Sequence, residues 1–441
     1  MLEKYFSFTA NKTSAKTEVI AGITTFLASM YIIVVNPSVL SQSGMPFNGV
    51  LTATIIVSAF CSIMMGIYAN NPLLVAPGMG LNAFFTFTVV LGMGVRWETA
   101  LGAVFWAGIV FIILSVFNIR TYIVRAIPRQ IRYAVAAGIG LFIALIGFVN
   151  GHLVVANPST LVAIAKLDAV TITFVIGLFI TALLVVKNIK GGLIIGIILT
   201  TILAIPVGRW YGDASILNNG IPTLVTWKGL FAAPDFSLIF QLDIAGSLKF
   251  ALWPVIFAFL FTDMFDSLST FVGVAEAANL IDENNEPRNI KESLITDAFA
   301  TTIAGLVGSS PGTAYIESAT GIEEGGRTGL TAVVAGLLFI PFIFISPLLS
   351  VVPSIATSPA LIIVGVFMIK PVLKINWSKF DDAIPAFIAL ALIPFTYSIT
   401  QGIIWGFLSW TVIKLITGKK EDVNLMLIGI DIFAILALFL G

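Results

Sequence analysis

Three acidic side chains lie in apolar stretches of this sequence, where an ionisable group needs a functional or structural reason. Asp263 and Asp266 occur in 261–270 (FTDMFDSLST), and Glu317 occurs in 315–318 (YIES). A charged residue near the centre of a bilayer costs about 2.5–3.5 kcal/mol on translocon scales. Such groups typically bind a polar substrate or carry a proton, and hydrogen bonding between helices is the structural alternative.

The two aspartates have the spacing of one helix face. Because they are three residues apart, Asp263 and Asp266 project from the same side of a helix, and Ser267 and Thr270 extend that polar stripe. Burial disfavours the charged form of a carboxyl group, so such a group can take up a proton. The spacing therefore predicts a substrate and proton site in which either aspartate can be the proton carrier.

Two segments broken by proline and glycine interrupt the apolar runs, one in each half of the chain. Segment 71–82 (NPLLVAPGMGLN) ends at Asn82, and segment 309–318 (SSPGTAYIES) carries Glu317 and Ser318. Irregular backbone at membrane depth is tolerated only where it lines a cavity or is buried in protein. Broken spans at matching positions in two halves are typical of the binding site of a secondary transporter.

The composition is that of a membrane protein. The chain has 441 residues, of which 58% are hydrophobic and 10% are charged, and its mean hydropathy is +1.04. Soluble domains carry about 25% charged residues, whereas apolar runs of about twenty residues recur throughout this chain. We therefore predict an all-α polytopic membrane protein. A net charge of zero gives no reason to expect a nucleic-acid partner, and we expect no signal peptide.

The apolar runs divide into fourteen predicted spans, seven in each half of the chain. An odd number of spans gives the two halves opposite orientations, as an inverted repeat requires. Asn36-Pro37, at the end of the first span, is interpreted as a helix stop, with lining of a cavity as the alternative. A last apolar stretch, 424–440, is predicted either to span the membrane or to lie at its interface. The predicted regions are 1–17 (N-terminus), 18–206 (first repeat), 207–246 (connecting segment), 247–417 (second, inverted repeat) and 418–441 (C-terminal tail).

Basic residues are distributed unequally between the two sides of this layout. Cytoplasmic loops of membrane proteins carry an excess of lysine and arginine. A cytoplasmic N-terminus places most of the basic residues inside, and we expect the chain in the cell membrane with that orientation. The outer loops carry Arg96, Lys166, Arg209 and Lys228, and the inner ones carry Lys12, Lys16, Arg120, Arg125, Arg129, Arg132, Lys187, Lys190, Arg288, Lys291, Arg327, Lys370, Lys374, Lys379, Lys419 and Lys420.

The sequence lacks the motifs that indicate an enzyme or an ATP-driven pump. It contains no Walker A loop, no HExxH and no paired Cys/His set, so we expect no cofactor and no resident metal. A secondary transporter is the favoured class. An anion transporter of the sulfate-permease type, in which half-helix dipoles hold the anion, is the alternative, and Glu317 beside the site would oppose a negative charge.

Four motifs spread over almost the whole chain resemble one known family. They are 18–36 (EVIAGITTFLASMYIIVVN), 76–85 (APGMGLNAFF), 265–270 (FDSLST) and 315–322 (YIESATGI). Together these motifs resemble the nucleobase–cation symporters, and within them the AzgA-like branch of hypoxanthine/guanine/adenine permeases. The resemblance implies fourteen helices in a core domain and a gate domain, with short extended pieces in the third and tenth spans. It also implies symport of a purine nucleobase with a proton, and a homodimer is common among related folds.

The resemblance also implies where the purine binds. The family's binding positions correspond to Asn82 in the third span, an aspartate in the eighth and Glu317 in the tenth. Asp266 matches the family's acidic motif, while the neighbouring Ser267 departs from it, so Asp263 remains the alternative. We expect Glu317 to accept hydrogen bonds from ring N–H groups. The predicted substrate-binding residues are Gly80, Asn82, Asp266, Thr270, Glu317 and Ser318, and the predicted proton-coupling residues are Asp263, Asp266 and Glu317.

Overall fold

Long apolar helices form most of the structure, a computed structural model that describes residues 2–117, 127–215, 220–278, 280 and 287–440. Within those ranges, eight helices are long and apolar enough to cross a membrane by length and composition, and shorter apolar helices accompany them. The prediction of a mostly helical, multi-pass membrane protein is confirmed. Arg120 and Arg125, which enter the charge argument, lie outside the described residues.

The helices follow the apolar runs of the sequence closely. In the first half they are α1 (Leu2–Phe6), α2 (Ala15–Ser29), α3 (Ile32–Leu40), α4 (Phe47–Met64), α5 (Met79–Ala83), α6 (Trp97–Val116), α7 (Arg129–Asn150), α8 (Ala169–Val186) and α9 (Gly192–Ala204). In the second half they are α10 (Trp253–Ala278), α11 (Ile290–Val307), α12 (Ser318–Glu323), α13 (Gly329–Phe339), α14 (Ser346–Leu349), α15 (Ser354–Met368), α16 (Phe380–Thr396), α17 (Ile399–Ile416) and α18 (Leu425–Leu440). The π-helical segments Met65–Ala69 and Phe84–Gly92 continue α4 and α5.

Four short strands form two separate antiparallel pairs. The strands are β1 (Val75–Pro77), β2 (Val154–Asn157), β3 (Leu161–Ile164) and β4 (Gly312–Ala314). β1 pairs with β4, and β2 pairs with β3 in a hairpin between α7 and α8. The hairpin is not among the sequence-based predictions. The Asn157 side chain accepts from the backbone N–H groups of Ser159 (2.8 Å) and Thr160 (3.2 Å), which is the local chemistry of an Asx turn.

The first membrane segment is divided into two helices at a position that was not predicted. α2 ends at Ser29, whose hydroxyl donates to the Thr25 carbonyl at 2.7 Å, and such bonds bend helices. Pro37 lies inside α3, which continues to Leu40, so the prediction of a helix stop at Asn36-Pro37 is wrong. Proline is tolerated inside membrane helices because neighbouring helices, side chains and local backbone adjustments can satisfy the carbonyl group that it leaves without a donor.

The helices pack in two groups. One group joins α2, α3, α4 and α6 of the first half with α10, α11, α12 and α13 of the second. The other joins α7, α8 and α9 with α15, α16 and α17. Contacts of α7 with α5 and α10 connect the two groups, and α18 packs on α17 and α10. Each group therefore contains helices from both halves of the chain.

A buried lysine holds one end of the second group together. Lys414 of α17 is 3% exposed and lies 2.6 Å from Asp381 and 2.5 Å from Asp382, both in the first turn of α16. Its ammonium group also lies 4.4 Å from the Trp410 ring centroid and 3.4 Å from Asp422, which precedes α18. This one cation therefore ties together α16, α17 and the entry to α18.

We predict that Lys414→Met destabilises the protein by about 3 kcal/mol, because it leaves the largely buried Asp382 without its counter-charge and leaves the exposed Lys419 as the remaining cation on Asp381. A melting curve of the purified protein in detergent measures the change. Lys419→Met is the matched control, since Lys419 also bonds Asp381 (2.6 Å) but is 45% exposed. Exposed ion pairs contribute about 0–1 kcal/mol, so its effect should be small. Equal effects of the two substitutions would contradict this assignment.

Candidate functional site

The two broken segments pair with each other in the protein interior. Val75 lies opposite Ala314, and Pro77 lies opposite Gly312. The pair is extended at one end by the Tyr315 N–H, which donates to the Leu74 carbonyl at 2.9 Å. All six strand residues are buried. Backbone groups at membrane depth must find partners within the protein, and each broken segment supplies them to the other.

Side-chain hydroxyls complete the outer edges of this strand pair. The Ser62 hydroxyl of α4 both accepts from the Val75 N–H and donates to the Val75 carbonyl, each at 3.0 Å. The Ser318 hydroxyl accepts from the Leu74 N–H at 3.0 Å. A two-stranded ribbon exposes unpaired edges that would otherwise need water. These serines therefore replace the water or neighbouring strand that a soluble protein would use.

A carboxylate and a tyrosine meet beside the strand pair. Glu317 follows β4 and directly precedes α12, and its Oε1 accepts from the Tyr31 hydroxyl at 2.7 Å. Asp266 of α10 interacts electrostatically with Glu317 and with Tyr31. Asp266 and Glu317 are each only partly buried in the protein. The structure thus brings Asp266 and Glu317 together, although they are distant in sequence.

Asp263 occupies a different environment from Asp266. It is fully buried, and the Thr301 hydroxyl of α11 lies between the Asp263 carboxylate and the Gly312 carbonyl, 3.1 Å from the latter. Asp263 also interacts electrostatically with Asp297 of α11. Its nearest described partners are therefore residues of α11 and the strand β4. The two aspartates that the sequence places on one helix face therefore have different neighbours. Asp263 lies at strand β4, and Asp266 lies beside Glu317.

Asn82 belongs to a second buried polar network. Its Oδ1 accepts from the Ser310 hydroxyl, which also lies 3.5 Å from Asn36 Oδ1. The Asn36 amide in turn donates to Thr54 at 2.8 Å and to Ser309 at 3.2 Å. This network joins α3, α4 and α5 to the approach of β4. It lies at the Pro77–Gly312 end of the strand pair, whereas Glu317 follows the other end of β4.

The remaining predicted residues support the site from three sides. Thr270 is 5% exposed on α10, and Ser318 is fully buried against Leu74. Gly80 lies against α7, because a Cβ atom built there would be 2.5 Å from Ile139 Cγ2. Gly80 therefore allows a close approach between the broken segment and α7 of the second helix group.

Sequence reasoning missed three residues that organise the site. Tyr31, Thr301 and Ser310 each bond a predicted residue, yet each lies in a run whose periodicity carries no sign of that contact. Polar residues in apolar runs were the only available signal.

His152 lies in the turn after α7, away from the strand pair, and burial lowers its pKa. The titratable groups at the site are thus carboxylates and tyrosines.

Two solved transporters share this architecture. The transmembrane domain of a cyanobacterium bicarbonate transporter, BicA, matches with a TM-score of 0.64 at 16% identity, covering 89% of this chain and 97% of that one. SLC26A9 also matches with a TM-score of 0.64, at 9% identity, covering 95% of this chain and 66% of that one. At these identities the similarity shows the fold alone.

Sequence comparison gives the family. A family model described as "Permease family" (Xan_ur_permease) matches residues 16–404, and the chain belongs to this family. Adenine permease AdeP of Escherichia coli (strain K12) is 41% identical over 99% of this chain and 95% of its own length. Guanine/hypoxanthine permease PbuO of Bacillus subtilis (strain 168) is 40% identical over 99% of this chain and 100% of its own. The resemblance indicated by the four sequence motifs is therefore confirmed.

We predict that Gly80→Ala impairs transport, because the added methyl group would overlap Ile139 and separate α5 from α7. The measurement is the maximal uptake rate at equal membrane expression, which should fall roughly ten-fold. In the double variant Gly80→Ala/Ile139→Ala, the smaller side chain at position 139 makes room for the added methyl group, so much of the maximal uptake rate should return. Gly429→Ala is the matched control, since a Cβ there meets no atom within 4 Å. Normal uptake by Gly80→Ala would contradict the proposed close contact.

Proposed function

We propose that this protein imports purine nucleobases, among them adenine, guanine and hypoxanthine, by symport with protons. The support for the substrate is that relatives about 40% identical over nearly the whole chain are adenine and guanine/hypoxanthine permeases. The observation that carries the proposal is the position of Glu317, which is bonded to Tyr31 beside the paired strands β1 and β4, with Asp266 of α10 nearby. Carboxylate oxygens accept hydrogen bonds, and purine rings carry N–H donors.

Glu317 is the proposed anchor of the base. One of its oxygens is held by Tyr31, and the other accepts from a ring N–H group of the purine. Asp266 and Thr270 contribute from α10. Gly80, Asn82 and Ser318 complete the proposed site. Gly80 packs against α7, Asn82 accepts a hydrogen bond from Ser310, and Ser318 accepts one from the Leu74 N–H.

Asp266 is the proposed carrier of the coupled proton, with Asp263 as the alternative. Protonation removes a charge that opposes movement of the site through the membrane interior. Asp266 has the advantage of partial exposure and of proximity to Glu317, which lets proton and base binding influence each other. Asp263 is fully buried and already bonded to Thr301, so proton exchange with solvent is harder there.

The architecture that we propose for this transport is the seven-plus-seven inverted repeat. Regions 18–206 and 247–417 are the repeats, joined by 207–246, with the β1 and β4 strands as extended pieces of spans three and ten. The two helix groups are the core and gate domains, which rock against each other around the site. A cytoplasmic N-terminus (1–17), a C-terminal tail (418–441), placement in the cell membrane and a homodimer complete the proposal.

Anion transport is the second candidate, since the fold also occurs in a bicarbonate transporter. A carboxylate that is partly exposed at the site repels an anion, and Asp266 adds a second acidic group nearby. The site therefore favours an uncharged ligand with N–H donors. Sulfate or bicarbonate that competed with purine uptake would instead favour the anion transporter.

We predict that Glu317→Gln reduces purine uptake at least 100-fold without loss of the protein from the membrane. The amide replaces an acceptor oxygen by a donor nitrogen, so the ring N–H loses its partner. The measurement is uptake of radiolabelled adenine, guanine, hypoxanthine and uracil by cells that lack their own purine permeases, with and without a protonophore. Uptake by Glu317→Gln close to that of the unchanged protein would refute the assignment.

Two controls test the substrate site and the coupling ion separately. Glu324→Gln is matched, because Glu324 is an acidic residue in the turn after α12 that bonds Lys190 at 2.5 Å, away from Asp266 and Glu317. It should leave uptake unchanged. Uptake that persists with the protonophore, but collapses without sodium, would keep the substrate and overturn proton coupling.

We predict that Asp266→Asn uncouples transport from the proton gradient. Cells with this variant should equilibrate the base without concentrating it, because the amide cannot take up the proton. The measurement is the ratio of internal to external labelled purine at steady state. Asp263→Asn is the matched variant and should retain accumulation if it folds. Accumulation by Asp266→Asn together with its loss in Asp263→Asn would exchange the two roles.

A further inference from the structure

Tyr31 lies at an interruption of the first membrane segment. α2 ends at Ser29 and α3 begins at Ile32, so Met30 and Tyr31 stand between the two helices. The Tyr31 side chain is 1% exposed, and its hydroxyl reaches Glu317 Oε1 at 2.7 Å. A phenol buried to this degree needs a hydrogen-bond partner, and here the partner is the proposed anchor of the base.

The backbone of Glu317 is fixed, but its side chain depends on Tyr31. The Glu317 carbonyl accepts from both the N–H (3.0 Å) and the hydroxyl (2.7 Å) of Thr320. Those bonds hold the start of α12 and do not involve the side-chain carboxylate. The carboxylate accepts from the Tyr31 hydroxyl and also interacts with the Glu317 backbone, so Tyr31 is the partner that reaches it from another membrane segment. Hydrogen bonds to a charged acceptor are about twice as strong as neutral ones.

Tyr315, the second tyrosine beside Glu317, makes a hydrogen bond to a different part of the site. The Tyr315 hydroxyl donates to the Pro77 carbonyl at 2.5 Å, so it connects the residue after β4 to the end of β1. Tyr315 also interacts electrostatically with Glu317 and Asp266. Loss of its hydroxyl would therefore disturb the strand pair itself. Loss of the Tyr31 hydroxyl removes a bond to Glu317 and leaves the strand pair intact.

We propose that Tyr31 is a positioning residue for substrate recognition: its hydroxyl holds one oxygen of Glu317 so that the other faces the purine. This inference rests on the proposed function of Glu317 as the anchor of the base. With Tyr31 in place, Glu317 offers a single, oriented acceptor. Without it, the carboxylate samples several rotamers, and binding must restrict them again.

The test compares Tyr31→Phe with Tyr5→Phe. Tyr5 is matched, because its hydroxyl also makes a 2.7 Å bond, to the Ile67 carbonyl, but at an exposed position away from the site. Concentration series of labelled purine uptake give KM and Vmax, and melting curves of the purified variants give stability. Tyr31→Phe should raise KM roughly ten-fold, with Vmax and melting temperature close to those of Tyr5→Phe.

Three results would overturn the proposal. The first is a KM for Tyr31→Phe equal to that of Tyr5→Phe. The second is a fall in Vmax and melting temperature with KM unchanged, which would make Tyr31 a structural residue only. The third comes from equilibrium binding of labelled purine in the Glu317→Ala background, where Tyr31→Phe should cause no additional loss because the oxygen that accepts from Tyr31 is absent. A further loss there would mean that Tyr31 contacts the base directly.

The same experiment separates this inference from the proposed function. If the unchanged protein takes up no purine, the proposed function fails and KM is undefined. If the unchanged protein transports purine, Glu317→Gln does not and Tyr31→Phe matches Tyr5→Phe, the function stands and the role of Tyr31 fails.

Discussion

The antiparallel pairing of β1 with β4 is the contact on which the rest of the site depends. Without water, an interrupted membrane helix leaves N–H and carbonyl groups that cost several kcal/mol each unless they find partners. Two interruptions placed opposite each other solve this problem together, since Val75 to Pro77 and Gly312 to Ala314 supply each other's partners. Hydroxyl groups of Ser62 and Ser318 complete the edges.

This pairing also determines which side chains can meet. Because β4 runs antiparallel to β1, Glu317 leaves the strand at the end near Leu74, and Asn82 follows the opposite end. The carboxylate then meets Tyr31 and Asp266, while Asn82 joins Asn36 and Ser310. Strand β4 therefore separates a buried polar network that contains Asn82 from a partly exposed acidic group that contains Glu317 and Asp266.

The sequence predicted most helix positions and the acidic residues, but it did not predict their partners. Apolar runs and Pro/Gly interruptions are local signals, so the sequence alone identified the two broken segments as irregular stretches between helices. The Tyr31–Glu317 bond joins residues 286 positions apart, and no periodicity within either run indicates it. Spacing placed Asp263 and Asp266 on one helix face, yet packing against α11 buries Asp263 and leaves Asp266 partly exposed. The β2–β3 hairpin was missed because each of its strands is only four residues long and carries no alternation of apolar and polar residues.

The most direct measurement is an experimental structure of the purified protein with bound hypoxanthine or adenine. We predict a purine ring beside the β1–β4 pair, with a ring N–H within hydrogen-bond distance of one Glu317 oxygen and Tyr31 still bonded to the other. Asp266 should face the same cavity. A base bound in another part of the molecule, with Glu317 in contact only with protein, would contradict the central claim that this strand pair builds the substrate site.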